Sequence, residues 1–170
     1  MLDKNNLKNQ LLNALSPPYP NSAEEAANRI ANAYHTYAQA AQDPMNGIPT
    51  NLSAKLPGLI SELSNIFSDL VQPVSVKVNQ LATAFSNYWM GVIFIISAPP
   101  GGQSTVTSIT GTAQLINELT VILTDLDPEK TTDDKMNELS TALDNFTKTV
   151  MVTGQMNTAP SPTPYAGPIF

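Results

Sequence analysis

Apolar residues recur at alternating spacings of three and four along most of this chain, the spacing that gathers them on one face of an α-helix. Around Asp3–Leu15, Leu7, Leu11, Leu12 and Leu15 share a face. A second segment carries Ala27, Ile30, Tyr34, Tyr37 and Ala41. It opens with Ser22-Ala-Glu-Glu25, a capping-box pattern in which the serine hydroxyl takes an orphan N–H and Glu25 reaches back. A third, from about Ser53 to Val71, has Leu56, Leu59, Leu63, Ile66 and Leu70, with Pro57 near its start, where a missing N–H is best tolerated. Pro73 suits the first turn of a fourth helix, whose face is Val74, Val78, Leu81, Phe85, Tyr88 or Trp89, Val92 and Ile96. A fifth, from about Thr107 to Leu126, shows Ile109, Ile116, Leu119, Leu123 and Leu126. The sixth begins at Thr131 or Thr132, with Asp133 and Asp134 set against the helix dipole, and carries Met136, Leu139, Leu143, Phe146 and Val150.

Proline and glycine punctuate the segments at SPPYPN (16–21), DPMNGIPTN (43–51), SAPPGG (97–102), DPEKTT (127–132) and APSPTPYAGP (159–168). Threonine and valine favour a strand locally over 103–110, but the sustained helical spacing predicts an all-α fold. That fold is an antiparallel helical bundle of about five to six helices with an extended C-terminal arm. The expected division is 1–20, a short helix and Pro-rich linker; 21–152, the bundle; and 153–170, the arm.

The most apolar stretch, Trp89–Ile96, is eight residues long. A membrane-spanning helix needs about 20, and extending backwards meets Asn87, Ser86, Thr83 and Gln80. The run therefore reads as the last two turns of the fourth helix, buried at the bundle centre or at a subunit contact.

Composition narrows the function. The formal net charge is −6, yet only 13% of the 170 residues are charged, so Asn, Thr, Ser and Gln supply the polar surface. Arg29 is the sole arginine and the lysines are scattered, which argues against nucleic acid or an anionic membrane as partner. With no cysteine, disulfides, thiolate metal sites and cysteine nucleophiles are excluded. The opening MLDKNNLKNQLLNALSPP lacks the apolar core of a signal peptide, so a cytoplasmic origin is expected.

Catalytic chemistry finds little support. His35, the only histidine, lies beside the Tyr34/Tyr37 seam with no carboxylate at i±4, and reads as structural rather than as a general base or metal ligand. The acidic run DLDPEKTTDD fails the calcium-loop pattern: counted from Asp125, the sixth position is Lys130 and the twelfth Met136. PPGGQST lacks the lysine of a phosphate loop. Asn51 and Asn145 stand in chance glycosylation sequons, and no G-x-S-x-G is present. No cofactor, metal or small-molecule substrate is expected. The C-terminal TGQMNTAPSPTPYAGPIF leaves helical periodicity, but Tyr165, Ile169 and Phe170 give it large apolar anchors suited to docking on a neighbour. Trp89 joins them as an expected interface residue.

AANRIANAYHTYAQAAQ (26–42) and LDNFTKTVMVTGQMNTAPSPTPYAGP (143–168) together resemble the small virion structural proteins of tailed bacteriophages. That resemblance implies a non-enzymatic assembly protein of a virion, made in the host cytoplasm and placed at the connector, tail or baseplate or on the capsid. Its partners would be copies of itself and other virion proteins. The alternative reading is a cytoplasmic helical adaptor or chaperone that binds a partner helix in a bundle groove. A third is a translocated protein whose 74–126 helical pair inserts into membranes.

Overall fold

The computed structural model describes residues 1–170 and corrects the all-α expectation: the chain is a mixed α/β protein with six helices and a five-stranded antiparallel sheet. The helices are α1 Lys4–Leu15, α2 Ala23–Ala38, α3 Leu52–Ser68, α4 Val74–Trp89, α5 Thr112–Thr124 and α6 Thr132–Thr147. The strands are β1 Ile48–Pro49, β2 Ile93–Ile96, β3 Gly102–Ile109, β4 Val150–Met156 and β5 Thr163–Pro168, paired in that order. No helix is long and apolar enough to cross a membrane.

Side-chain caps set several helix starts. Asp3 accepts from the Asn5 N–H in α1, and Ser22 accepts from the Glu25 N–H at 3.0 Å in α2. Glu25, however, reaches back to the Asn21 N–H at 2.7 Å rather than to Ser22, so the expected box is only half formed. The complete capping box is at α6, between Thr131 and Asp134. Pro57 is the sixth residue of α3, past the first turn.

Three non-helical stretches broke the all-α reading. The run after Trp89 satisfies a spacing of four (Val92, Ile96) and also a spacing of two. Residues 92, 94 and 96 are buried while 93 and 95 are half-buried, as in a strand. Its β-branched residues favour that choice, and Gly91 at φ +73° ends the helix in a conformation that L side chains rarely adopt. Asn51 then pins the turn, accepting from the Ile93 N–H at 2.9 Å and donating to the Gly91 carbonyl at 3.2 Å. Residues 102–109 form β3, so the fifth helix starts at Thr112 rather than Thr107. Val150 belongs to β4 rather than α6, and the expected C-terminal arm is β5, paired with β4 from Met151↔Pro168 to Met156↔Thr163.

Each helix packs on the next in sequence, and α6 packs on α1, closing a ring. Lys4 to Thr141 (3.3 Å) and Lys8 to Asp133 (2.7 Å) show α1 and α6 to be antiparallel. The alternation continues round the ring, so α2, α4 and α6 run towards the sheet and α1, α3 and α5 away from it. Phe94, Val106, Val150, Val152 and Ile169 from the sheet side join Leu7, Leu11, Leu63 and Leu143 of the ring in one hydrophobic cluster. The sheet thus closes one end of the ring.

The closure is fixed by Asp43, in the loop after α2. Its carboxylate is fully buried and accepts from the Met45 and Gly47 N–H groups (2.9 and 2.7 Å), the Ser104 hydroxyl (2.6 Å) and the Tyr165 hydroxyl (2.5 Å). Burial and then this bond push the Tyr165 phenol up to about 12, keeping it a donor. Gly154 stands opposite Ser104; a Cβ there would lie 2.4 Å from the Ser104 Cβ, so glycine leaves the room the contact needs.

The sheet edges are blunted. Ile169 donates to the Val150 carbonyl at 3.0 Å, so alternate residues 163, 165 and 167 bond inward and Pro164, Ala166 and Pro168 face out. Only Ala166 offers an outward N–H, and Phe170 exchanges both backbone bonds with Gln42. At the other edge β1 is two residues long and ends in Pro49.

Replacing Asp43 with Ala strands two hydroxyls and two N–H groups. We expect a loss of at least about 3 kcal/mol in denaturant unfolding, against about 0.5 kcal/mol or less for the same change at exposed Asp127.

Candidate functional site: the open end of the helical ring

Beneath the sheet, the last turns of α2, α4 and α6 converge. Tyr34 and Tyr37 of α2, Phe85, Tyr88 and Trp89 of α4, and Asp144 and Thr147 of α6 are all buried. Their polar atoms form a directed chain. The Trp89 Nε1–H donates to the Tyr34 hydroxyl (2.7 Å), which bonds Thr147 Oγ1 (2.7 Å), which in turn donates to the Leu143 carbonyl (2.7 Å). Tyr37 donates to Asp144 at 2.6 Å, and Lys148 pairs with the other carboxylate oxygen at 2.7 Å. Burial raises the Tyr34, Tyr37 and Tyr88 phenols above their ordinary value, so all three stay protonated. The rings meet edge-on, Tyr34 to Phe85 at 4.7 Å and Tyr88 to Trp89 at 5.6 Å between centroids. This cluster is a rigid floor.

His35 belongs to the floor. Its Nδ1 lies 2.7 Å from the Tyr88 hydroxyl and its Nε2 3.2 Å from Gln39 Nε2, and burial lowers its pKa. Gln39 donates, so the ring is neutral with its proton on Nδ1. Both nitrogens are occupied within the fold, leaving none for a substrate.

Away from the sheet the ring stays open. A cavity of about 440 Å³ is lined by apolar side chains from all six helices, including Leu15, Ile30, Phe67, Leu81, Leu119 and Met136. Phe85 and Leu143 lie deeper, Phe85 against Tyr34 and Leu143 below Thr147, and Asp125 and Lys135 stand at the mouth. The three loops at this end carry apolar side chains into solvent: Tyr19 (67% exposed) between α1 and α2, Leu70 and Val71 (86% and 92%) between α3 and α4, and Leu126 (89%) between α5 and α6. Val74 and Leu123 add to the rim. An apolar mouth ringed by exposed apolar residues is the kind of patch that marks an interaction site. No group of three or more His, Asp or Glu side chains comes together that could hold a metal ion.

The residues expected at an interface lie at the other end. Trp89 is fully buried in the floor, and Ile169 is 1% exposed in the core. Tyr165 is half-buried on Asp43, and Phe170 is half-buried with its backbone on Gln42. Trp89, Tyr165 and Ile169 pack within their own chain. The open-end rim contains residues that the periodicity assigned to buried seams, namely Leu70, Leu123 and Leu126. The local sequence carries the signal for two of them: Leu70 follows Asp69 and precedes Gln72-Pro73, and Leu126 stands in DLDP, where turn residues have already ended the helix. Asp43 had no such signal, because its partners are 61 and 122 residues away.

No protein-family model matches this chain, and neither a curated protein nor a solved structure is significantly similar to it.

Tyr34→Phe leaves the Trp89 N–H without its acceptor and should cost about 1–3 kcal/mol in denaturant unfolding, whereas Tyr19→Phe should be neutral. Because burial holds the folded His35 pKa below its unfolded value of 6.5, its contribution is fully present above that value. It is lost as pH falls through the folded pKa. The wild-type thermal midpoint should therefore drop as the pH falls below 6.5, and His35→Gln should flatten that slope.

Proposed function

We propose that this chain is a non-enzymatic assembly protein that docks through the open end of its helical ring, with a tailed-phage particle as its setting. The observation that carries the reading is the apolar rim of Leu70, Val71 and Leu126, the three most exposed large apolar side chains of the chain, around an apolar cavity. Uncovered apolar surface of this kind is costly in water and gains by being covered. The rest of the molecule favours the same end. The sheet edges offer almost no free N–H for strand addition, Ile169 is buried in its own chain, and the Phe170 backbone is bonded to Gln42. The phage setting rests on the resemblance of 26–42 and 143–168 to small virion proteins. Within the fold those segments supply Tyr34, Tyr37, Asp144 and Thr147 of the floor, together with β4 and β5.

The test is compositional. Particles of the phage carrying this gene, purified on a density gradient, should contain the chain by mass spectrometry. The Leu70→Glu/Val71→Glu/Leu126→Glu variant should fold with an unchanged thermal midpoint yet be depleted at least about tenfold from particles, because its three changes fall on side chains already in solvent. Particles lacking the wild-type chain, or taking up the variant normally, would contradict the proposal.

A further inference from the structure

We infer that the open end receives an apolar segment flanked by basic side chains, supplied by a protein other than a second copy of this chain. The inference rests on the reading of that end as the docking surface and adds the chemistry of the partner. Cavity size comes first. About 440 Å³ equals roughly fifteen water volumes, the bulk of about three or four leucine side chains. That is too little for a helix about 10 Å across to enter end-on. It suits a helix lying over the mouth and dropping apolar side chains into it.

The rim comes second. Leu70, Val71 and Leu126 stand in solvent outside the cavity, so a molecule small enough to fill the cavity alone would leave them uncovered. A partner that covers both must be larger than the cavity, as an amphipathic polypeptide surface is.

Charge comes third. On the loops and first turns at this end, Glu24, Asp69, Asp127, Glu129 and Asp134 enter no ion pair, whereas Lys8, Arg29 and Lys130 are already paired with Asp133, Glu25, and Asp125 and Glu138. That leaves only Lys77 and Lys135 as free cations there. The mouth therefore carries surplus negative charge around an apolar centre. A second copy would bring the same surplus against it, which costs free energy and steers copies apart, whereas Lys and Arg flanking an apolar stripe would be drawn in.

The experiment uses the full chain and two designed amphipathic peptides of about fourteen residues with the same leucine stripe, one with lysine at the remaining positions and one with glutamate. Isothermal titration should show one-to-one binding of the Leu/Lys peptide, weakening at least about tenfold at high ionic strength. Binding of the Leu/Glu peptide should be at least about tenfold weaker. Leu123→Lys, a substitution at a half-exposed lining position, should reduce Leu/Lys binding without moving the thermal midpoint.

Equal affinity for both peptides would overturn the inference, as would binding of dodecanoate with neither peptide bound. Self-association of the wild-type chain that disappears in the Leu70→Glu/Val71→Glu/Leu126→Glu variant would also overturn it, since the occupant would then be a second copy. If neither peptide binds while that variant still fails to enter particles, the docking reading stands and the partner chemistry falls. If the variant enters particles normally, both fall.

Discussion

The Asp43 carboxylate accepts from the loop that carries it, from β3 through Ser104 and from β5 through Tyr165. It therefore ties the end of α2 to two strands that arrive far later in the chain. A buried carboxylate is costly to desolvate, and four well-placed donors are what make it tolerable. The arrangement fixes more than one loop. It seats the sheet on the ring, and so decides which end of the ring is closed and which remains open.

Below the sheet the same logic is repeated with neutral groups. Trp89, Tyr34 and Thr147 come from three helices that all run towards the sheet, and each polar atom in the chain finds a partner, ending on the Leu143 carbonyl. Hydrogen bonds in a dry site are directional, so this network sets the rotation of α2, α4 and α6 about their axes more sharply than leucine packing could. On the far side the lining is mostly leucine, isoleucine, phenylalanine and methionine, and the charged groups, Asp125 and Lys135, stand at the mouth. The rigid, polar-satisfied end and the soft, apolar end have different work to do. One holds the ring in shape, and the other offers surface that water leaves readily.

Six helical segments were legible in the sequence, because Leu7/Leu11, Tyr34/Tyr37, Leu59/Leu63, Leu81/Phe85, Leu115/Leu119 and Leu143/Phe146 are spaced for one helical face and are buried in the structure. The sheet was not. In VIFII the spacings of two and four coincide, and a run of five residues is too short for either period to prevail. Only Gly91, at positive φ, marks the change. β4 and β5 were hidden for a different reason: VMVTGQM and TPYAGP gain strand character from pairing with each other, and a proline-rich tail read alone looks like an unattached arm. The site followed the same pattern. Periodicity carried the seams of α3 and α5 past their true ends, and so placed Leu70 and Leu126 inside when they stand at the rim.

The proposed docking through the open end of the ring, and not through the sheet, has a direct test. Hydrogen–deuterium exchange of the chain within assembled particles, compared with the free chain, addresses that directly. Slowed exchange should be confined to the three loops at the open end, residues 16–22, 69–73 and 125–131, with the amides of β4 and β5 unchanged. New protection over 151–168 with those loops still exchanging freely would place the interface on the sheet and rule out docking through the open end.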